Sequence, residues 1–203
     1  MNTIQIGQRT LTPSKVVCIG RNYVDHIAEL NNEIPDDMVV FIKPNSAMST
    51  TLKAFHQEPI HYEGELCFVY EQGRFSAVGF GLDLTKRGLQ NKLKAKGLPW
   101  ERAKAFDGAA LFSEFVAISP EDTAFTFTLS INDEVVQQGD SGLMIYAPDL
   151  IVAELATFVT LNDGDIVMTG TPKGVGEIKA GSTFTGQVYL GEQLLVTQTW
   201  RAI

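Results

Sequence analysis

The sequence predicts a strand-dominated α+β fold, a mixed sheet or sandwich with a few short helices. Most apolar segments are short, rich in β-branched and aromatic residues, and bounded by turn residues, which is typical of strands. Only three segments show the apolar spacing of a helix. Helices do not alternate regularly with strands, which favours a mixed sheet over a doubly wound parallel sheet. We find no internal repeat or interdomain linker, so residues 1–203 are predicted to form one domain.

The predicted elements follow one another along the whole chain. Strands or hairpins are predicted over these segments: 3–12, 15–20, 39–44, 60–70, 75–85, 125–139, 163–176 and 181–200. Helices are predicted over residues 22–30, 86–97 and 148–159, the last with Pro148 in its first turn. The hairpin of residues 125–139 is expected to turn at Asn132 and Asp133.

Composition limits the possible partners and the compartment. The 203 residues carry a formal net charge of −8, which argues against binding to nucleic acid or to an anionic membrane surface. The N-terminal residues lack the apolar run of a secretory signal, and no segment is long and apolar enough to span a bilayer. Cys18 and Cys67 lie within apolar strands, so we expect two buried thiols in a reducing cytoplasm rather than a disulfide.

Three carboxylates interrupt apolar strands. Glu63 and Glu65 are two residues apart in the predicted strand 60–70, so their side chains share a face and lie about 6.6 Å apart along the chain. Cys67 and Val69 continue that face. Asp83 interrupts another apolar strand. Three oxygen ligands favour a hard cation such as Mg²⁺ or Mn²⁺. The alternative is two exposed glutamates on an edge strand.

A second pair lies on the first predicted helix. His26 and Glu29 are three residues apart and can touch, so the carboxylate could orient the imidazole as a general base. A surface histidine with a charged neighbour is the alternative. Lys104, among small residues, could meet an anionic substrate or lie in solvent. The glycine-rich segment 169–176 lacks the GK[ST] of a phosphate-binding loop, so we do not expect a nucleotide there.

Several sequence segments, taken together and in their order along the chain, resemble those of a known family. They are KVVCIGRNYVDHIAEL, VVFIKPNSA, HYEGEL, GLDLTKRGLQNKLKAKGLPWERAKAFD and GDIVMTGTPKGVG. From about Lys15 onward the chain resembles the fumarylacetoacetate hydrolase family, and most of all its short acylpyruvase and oxaloacetate-handling branch. The resemblance implies a mixed β-sandwich roll of the type found in the family's C-terminal domain, usually as a homodimer.

The resemblance also implies roles for individual residues. Glu63, Glu65 and Asp83 match the ligands of Mg²⁺, with Mn²⁺ or Ca²⁺ as possible replacements. His26 and Glu29 match a water-activating dyad on a helix that acts as a lid, and Lys104 completes the catalytic set. The substrate-binding set that the resemblance implies consists of Arg21, Arg87, Gln90 and Thr171. Gly88 and Gly108 depart from the residues expected in relatives, which places the distal substrate pocket in question.

The implied chemistry concerns a small 2-oxo acid. We expect hydrolysis of the C–C bond of 2,4-dioxo acids, such as acetylpyruvate or fumarylpyruvate, to give a metal-stabilised pyruvate enolate. The dyad would activate the attacking water, which favours this reaction. Oxaloacetate decarboxylation or keto–enol tautomerisation is the alternative, because both use the same enolate. A 2-oxo-alkenoate hydratase and a non-catalytic binding module with a structural cation are weaker alternatives.

Overall fold

The computed structural model describes residues 1–29 and 36–203, and strands dominate it. In chain order the strands are β1 (Ile4–Ile6), β2 (Arg9–Leu11), β3 (Lys15–Gly20), β4 (Val39–Pro44), β5 (Phe55–His56), β6 (Glu58–Pro59), β7 (His61–Tyr62), β8 (Gly64–Glu71), β9 (Arg74–Asp83), β10 (Ala110–Phe112), β11 (Val116–Ala117), β12 (Phe125–Ile131), β13 (Glu134–Asp140), β14 (Ile166–Met168), β15 (Gly176–Glu177), β16 (Thr183–Leu190) and β17 (Gln193–Arg201). The α-helices are α1 (Val24–Glu29), α2 (Arg87–Ala95), α3 (Glu101–Lys104) and α4 (Pro148–Leu155).

The larger sheet is mixed and curled. Its strand order is β10-β9-β8-β14-β3-β4, with β11 also paired to β9. The β14–β3 pair is parallel and the other pairs are antiparallel. The curl brings the two ends of the sheet together, since Met48, shortly after β4, forms a bridge with Ala110 of β10. Side chains of β4 therefore reach the end of β9, although three strands separate β4 from β9 in the sheet.

A second, antiparallel sheet covers one face of the first. Its order is β13-β12-β16-β17, and its aromatic residues share a core with Leu66, Phe68 and Phe80 of the larger sheet. At Gly186 of β16 an added Cβ would lie 2.1 Å from the ring of Phe80, so the sheets meet where only glycine fits. The opposite face of β8, with Cys67 and Val69, packs against the hairpin β1–β2. Both faces of β8 are thus buried.

The predicted fold class is confirmed, and so are most predicted elements. The hairpin 125–139 turns at Asn132 and Asp133, both with positive φ. The strand predicted over residues 60–70 is interrupted at Glu63, because β7 pairs with β15 while β8 pairs with β9 and β14. The helix predicted to reach Val159 ends at Leu155. The helix α3 was missed by the sequence analysis because four residues are too few for a periodic signal.

Three further expectations meet the structure here. Cys18 and Cys67 are buried free thiols, as expected. No helix in the described part of the chain has the length and hydropathy needed to cross a membrane. The predicted lid segment 21–37 is described only in part, because residues 30–35 lie outside the described residues.

Candidate active site

The three carboxylates meet at the ends of two paired strands. Glu63 immediately precedes β8, Glu65 lies within it, and Asp83 is the last residue of β9. The backbone N–H of Asp83 donates to the carbonyl of Glu63 at 2.8 Å, which sets the register. The three residues are 6%, 2% and 1% exposed, and one carboxylate oxygen of each lies within 4.8 Å of the others. The alternative of exposed glutamates on an edge strand is therefore wrong.

Buried cations surround these carboxylates. Lys104 on α3 lies 2.8 Å from Glu63 Oε2 and 2.8 Å from Asp83 Oδ2, and it also donates to Thr85 Oγ1 at 2.7 Å. Arg87 Nη2 donates to Glu63 Oε1. Lys104 is thus a buried residue facing the carboxylates rather than a solvated surface lysine.

Lys43 is a third cationic residue at the carboxylates, and the sequence analysis did not include it. Its Nζ lies 2.8 Å from Asp83 Oδ1 as an ion pair, and it donates to the carbonyl of Ala109 at 2.9 Å. It also donates to the carbonyl of Lys104. The available signal was a lysine within the apolar strand VVFIKP, since a lysine is almost never fully buried unless paired.

Burial and neighbouring charges shift the pKa values of Glu63 and Glu65 in opposite directions. Burial, reinforced by the charges of Asp83 and Glu63, raises the pKa of Glu65 well above its usual range. For Glu63 burial acts in the same direction, but the charges of Lys104, Arg87 and His26 outweigh it and lower the pKa. Burial also opposes the charge of Lys104, yet Asp83 and Glu63 raise its pKa, so it remains an ammonium ion.

The predicted dyad is formed on α1. His26 Nδ1 lies 3.2 Å from Glu29 Oε2, and Glu29 Oε1 accepts from the N–H of Gly174 at 3.0 Å. Because Glu29 accepts at Nδ1, we assign the proton to that nitrogen, which leaves a lone pair on Nε2. Burial lowers the pKa of His26, and the charges of Glu63 and Glu29 only partly offset this. The imidazole is therefore neutral at physiological pH and able to accept a proton.

Nearly all the predicted site residues line one cavity. Its lining includes nine of the ten: Arg21, His26, Glu63, Glu65, Asp83, Arg87, Gln90, Lys104 and Thr171. The tenth, Glu29, touches His26 instead. The cavity also includes Lys94 and Trp100, which the sequence analysis did not single out. The geometry places these residues together, while their individual roles remain predictions.

The hydroxyl of Thr171 forms hydrogen bonds with a backbone carbonyl and with a side-chain amide. It donates to the carbonyl of Gly64 at 2.9 Å and accepts from Gln137 Nε2 at 2.8 Å. Gln137 was missed by the sequence analysis, because nothing in the strand sequence distinguishes it from the exposed Gln138. A substrate carboxylate can only accept the single hydroxyl proton of Thr171, so this contact would have to replace the bond to Gly64.

The two departures from the family pattern lie away from the cavity. Glu58 accepts from the N–H of Leu89 at 3.1 Å, and a Cβ at Gly88 would lie 3.1 Å from the same carboxylate. Glu58 thus supplies an acid at the N-terminus of α2, where Gly88 has none. Gly108 has φ of +86° and faces Ser49. Neither glycine is among the described residues that line the cavity, and the effect of these departures on the distal substrate pocket stays a prediction.

The carboxylate group fits a divalent cation. All three candidate ligands are carboxylates, which are the donors that Mg²⁺ and Mn²⁺ prefer. Asp83 Oδ1 is buried and, despite the nearby Lys43 charge, has no aligned hydrogen-bond donor among the described residues. Such an oxygen is suited to coordinate a metal ion. Glu63, Glu65 and Asp83 are therefore the residues that could hold one.

The family follows from comparison with known proteins. The family model described as "Fumarylacetoacetate (FAA) hydrolase C-terminal" matches residues 15–196. The chain belongs to the fumarylacetoacetate hydrolase family. It is 38% identical over 192 residues to the oxaloacetate tautomerase YcgM of Escherichia coli, covering 85% of this chain and 87% of that protein. It is 34% identical over 203 residues to the human mitochondrial oxaloacetate tautomerase FAHD1, covering 92% and 90%.

Solved structures of the fumarylacetoacetate hydrolase family share the fold. The fumarylpyruvate hydrolase of Pseudomonas aeruginosa, solved with Mn²⁺ and pyruvate, has a TM-score of 0.89 at 28% identity, covering 100% of this chain and 95% of that one. A candidate fumarylacetoacetate isomerase/hydrolase of Oleispira antarctica has a TM-score of 0.92 at 35% identity and full coverage of both chains. The chain is thus an enzyme of this family, with a buried acidic triad that could bind a metal. The binding-module alternative loses its support.

Proposed function

We propose that this enzyme catalyses the keto–enol tautomerisation of oxaloacetate. The observation that carries the proposal is the 34% to 38% identity to relatives that are named oxaloacetate tautomerases. The dyad of His26 and Glu29, beside a cavity lined by three carboxylates and several cations, supplies a base that either reaction could use. This reaction was the alternative of the sequence analysis, and it now has more support than acylpyruvate hydrolysis.

Tautomerisation needs a base and a stabilised oxygen, but no attacking water. His26 Nε2 would remove the proton from C3 of oxaloacetate, and the electron pair of that C–H bond would form the C2–C3 double bond. Negative charge then develops on the C2 oxygen. The imidazolium, stabilised by Glu29, returns the proton to that oxygen and gives the enol. The reverse sequence regenerates the ketone, so no proton is gained or lost overall.

The remaining residues would bind and orient the substrate. Arg87 and Gln90 are held together by a hydrogen bond of 2.8 Å and present donors to the C1 carboxylate. Lys104 carries the positive charge that stabilises the developing oxyanion. Arg21 and Thr171 complete the predicted binding set. Mg²⁺, with Mn²⁺ or Ca²⁺ as possible replacements, would be held by Glu63, Glu65 and Asp83 and would supply Lewis-acid polarisation of the 2-oxo group.

Hydrolysis of an acylpyruvate is the second candidate. The observation in its favour is the structural likeness to a fumarylpyruvate hydrolase that was solved with pyruvate and Mn²⁺. The same dyad could deprotonate a water molecule that attacks the acyl carbon. The sequence identity to that hydrolase is 28%, lower than to the tautomerases.

A substrate panel tests the proposal. Purified enzyme with Mg²⁺ is assayed for ketonisation of enol-oxaloacetate, for release of carbon dioxide from oxaloacetate, and for cleavage of acetylpyruvate and fumarylpyruvate. Ketonisation should have the highest kcat/KM, and His26→Gln should lower it by about a hundredfold or more. His61→Gln, outside the cavity lining, is the matched control. A higher kcat/KM for acetylpyruvate cleavage would overturn the assignment.

Assembly and location remain proposals. We propose a homodimer acting on a small 2-oxo acid in the cytoplasm, without nucleic-acid or membrane partners. The resemblance supports the dimer, and the net charge of −8 supports the absence of nucleic acid. Several relatives are named as mitochondrial, so the compartment requires its own localisation experiment.

A further inference from the structure

Helix α2 begins without a capping group of its own. Its N-cap residue is Lys86, whose ammonium group cannot accept a hydrogen bond from the helix, and the first turn has no acidic residue. The first helical hydrogen bond runs from Gln90 N to Lys86 O at 2.9 Å. The N–H groups before Gln90 have no partner within the helix, so they need an acceptor from elsewhere.

Glu58 supplies this acceptor from a neighbouring hairpin. Its Oε1 accepts from the N–H of Leu89 at 3.1 Å, which is the N–H that a capping side chain normally serves. The carboxylate lies against Gly88, where an added Cβ would be 3.1 Å from Oε1. Glycine at this position therefore permits the close approach of Glu58. The negative charge also faces the positive end of the helix dipole.

The hairpin that carries Glu58 contacts the start of α2 a second time. Strands β5 and β6 pair on either side of Gln57, which has a φ of +66°. Gln57 Oε1 accepts from Lys86 Nζ at 2.9 Å, and the same ammonium group lies 4.6 Å from the ring centroid of Phe106. Because one hairpin binds both Lys86 and Leu89, it fixes the position of the first turn of α2.

That turn carries two residues of the predicted substrate-binding set. Arg87 is the first residue of α2, Gln90 lies one turn later, and both line the cavity. Arg87 Nη1 donates to Gln90 Oε1 at 2.8 Å, and Arg87 Nη2 donates to Glu63 Oε1. We propose that Glu58 is a positioning residue that holds Arg87 and Gln90 where they receive the C1 carboxylate of the substrate. The inference rests on the proposed function and adds to it a residue from a separate hairpin.

Oxalate binding tests this role without turnover, since oxalate presents a carboxylate beside further oxygen donors, as a 2-oxo acid does. Its dissociation constant is measured by calorimetry with saturating Mg²⁺. Glu58→Ala should weaken oxalate binding by about fivefold or more, as expected for loss of a helix cap. The dissociation constant of Mg²⁺ alone should change by less than about twofold, because the carboxylate triad belongs to other elements. Glu58→Gln keeps an acceptor and should restore oxalate binding in part. Glu192→Ala, at an exposed position, should change neither constant.

A compensating variant separates positioning from a general loss of stability. Gly88→Asp alone should also weaken oxalate binding, because its Cβ would crowd Glu58 and the two carboxylates would repel each other. In Glu58→Ala/Gly88→Asp that space is free, and the new carboxylate supplies negative charge at the helix N-terminus. The double variant should therefore bind oxalate more tightly than either single variant. If it does not, or if Glu58→Ala binds oxalate as the wild type does, Glu58 does not position α2.

Turnover gives a second readout. For ketonisation of enol-oxaloacetate, Glu58→Ala should raise KM by about fivefold or more while kcat changes by less than about twofold, since the dyad lies on α1. A fall in kcat with unchanged KM would contradict the positioning role. If Glu58→Ala weakens oxalate binding while the wild type shows no ketonisation, the role of Glu58 stands and the assigned reaction fails. Melting temperatures of all variants verify folding, and Glu58→Gln replaces Glu58→Ala if the latter melts early.

Discussion

At the residue scale, Glu65 links metal binding to pH. Its pKa is raised well above the usual range by burial and by the charges of Asp83 and Glu63. A cation binds the ionised carboxylate, so Mg²⁺ must displace the proton that Glu65 holds below this pKa. The affinity for Mg²⁺ should therefore rise with pH until Glu65 is ionised. Calorimetry in buffers of different ionisation enthalpy measures the proton released.

Glu65→Gln should abolish this proton release and weaken Mg²⁺ binding, because the amide can still accept from Gly170 but carries no charge. Glu71→Gln, at the far end of the same strand, should change neither quantity. Proton release of wild-type size in Glu65→Gln would assign the proton to another group.

His26 should determine the acidic limb of the pH–rate profile. Only the neutral imidazole can accept the C3 proton, and its pKa is lowered by burial. With saturating Mg²⁺, kcat/KM for ketonisation should rise with pH through a midpoint below the usual range of histidine and be level at neutral pH. The limb should disappear in His26→Gln. If the variant keeps the wild-type profile, His26 is not the base.

At the scale of elements, the loop 169–176 holds the dyad in place. The N–H of Gly174 donates to Glu29, and Lys173 pairs with Asp25 at 2.9 Å on the surface. The surface pair contributes little, because both side chains are exposed and solvent screens their charges. The bond from Gly174 is more critical because φ is +99° there, and an added Cβ would lie 2.1 Å from the carbonyl of Val136.

Gly174→Ala should therefore displace the loop and release Glu29. We expect kcat for ketonisation to fall by about tenfold or more, while Mg²⁺ affinity changes by less than about twofold. Gly181→Ala is the matched control, since Gly181 also has positive φ but open space around its Cα. Unchanged kcat in Gly174→Ala would show that the dyad does not depend on this loop.

The same contact bears on the predicted lid. If α1 opens and closes over the substrate, amides of residues 22–29 should exchange faster than those of β8, and oxalate with Mg²⁺ should slow them. Oxalate without Mg²⁺ should have little effect. Exchange as slow as in β8 without any ligand would rule out gating by this helix.

At the scale of the whole molecule, Gln137 joins the two sheets at the site. Its Oε1 accepts from the N–H of Gly64 at 2.9 Å, and its Nε2 donates to Thr171 Oγ1 and to the carbonyl of Pro172. Gln137→Leu leaves these buried groups without partners and should lower the free energy of unfolding by about 1–3 kcal/mol. Denaturant titration measures the loss, with the exposed Gln138→Leu as control.

Because Gly64 lies between Glu63 and Glu65, Gln137→Leu should also weaken Mg²⁺ binding. A variant that is less stable but binds Mg²⁺ normally would separate sheet packing from site geometry. The same titration tests the prediction of one domain over residues 1–203, for which a single cooperative transition is expected.

The sequence by itself determined the local features of this protein. Alternation along β8 and the spacing of α1 depend on residues two to four positions apart, so the carboxylates Glu63 and Glu65 and the pair His26–Glu29 could be predicted. The motifs, in their order along the chain, indicated the family. Only the tertiary structure decided which cations face those carboxylates. Three strands separate Lys43 on β4 from β9 in the sheet order, and Lys43 reaches Asp83 because the sheet curls. Gln137 likewise depends on the packing of one sheet on another, and such contacts arise from long-range register and twist that no local spacing encodes.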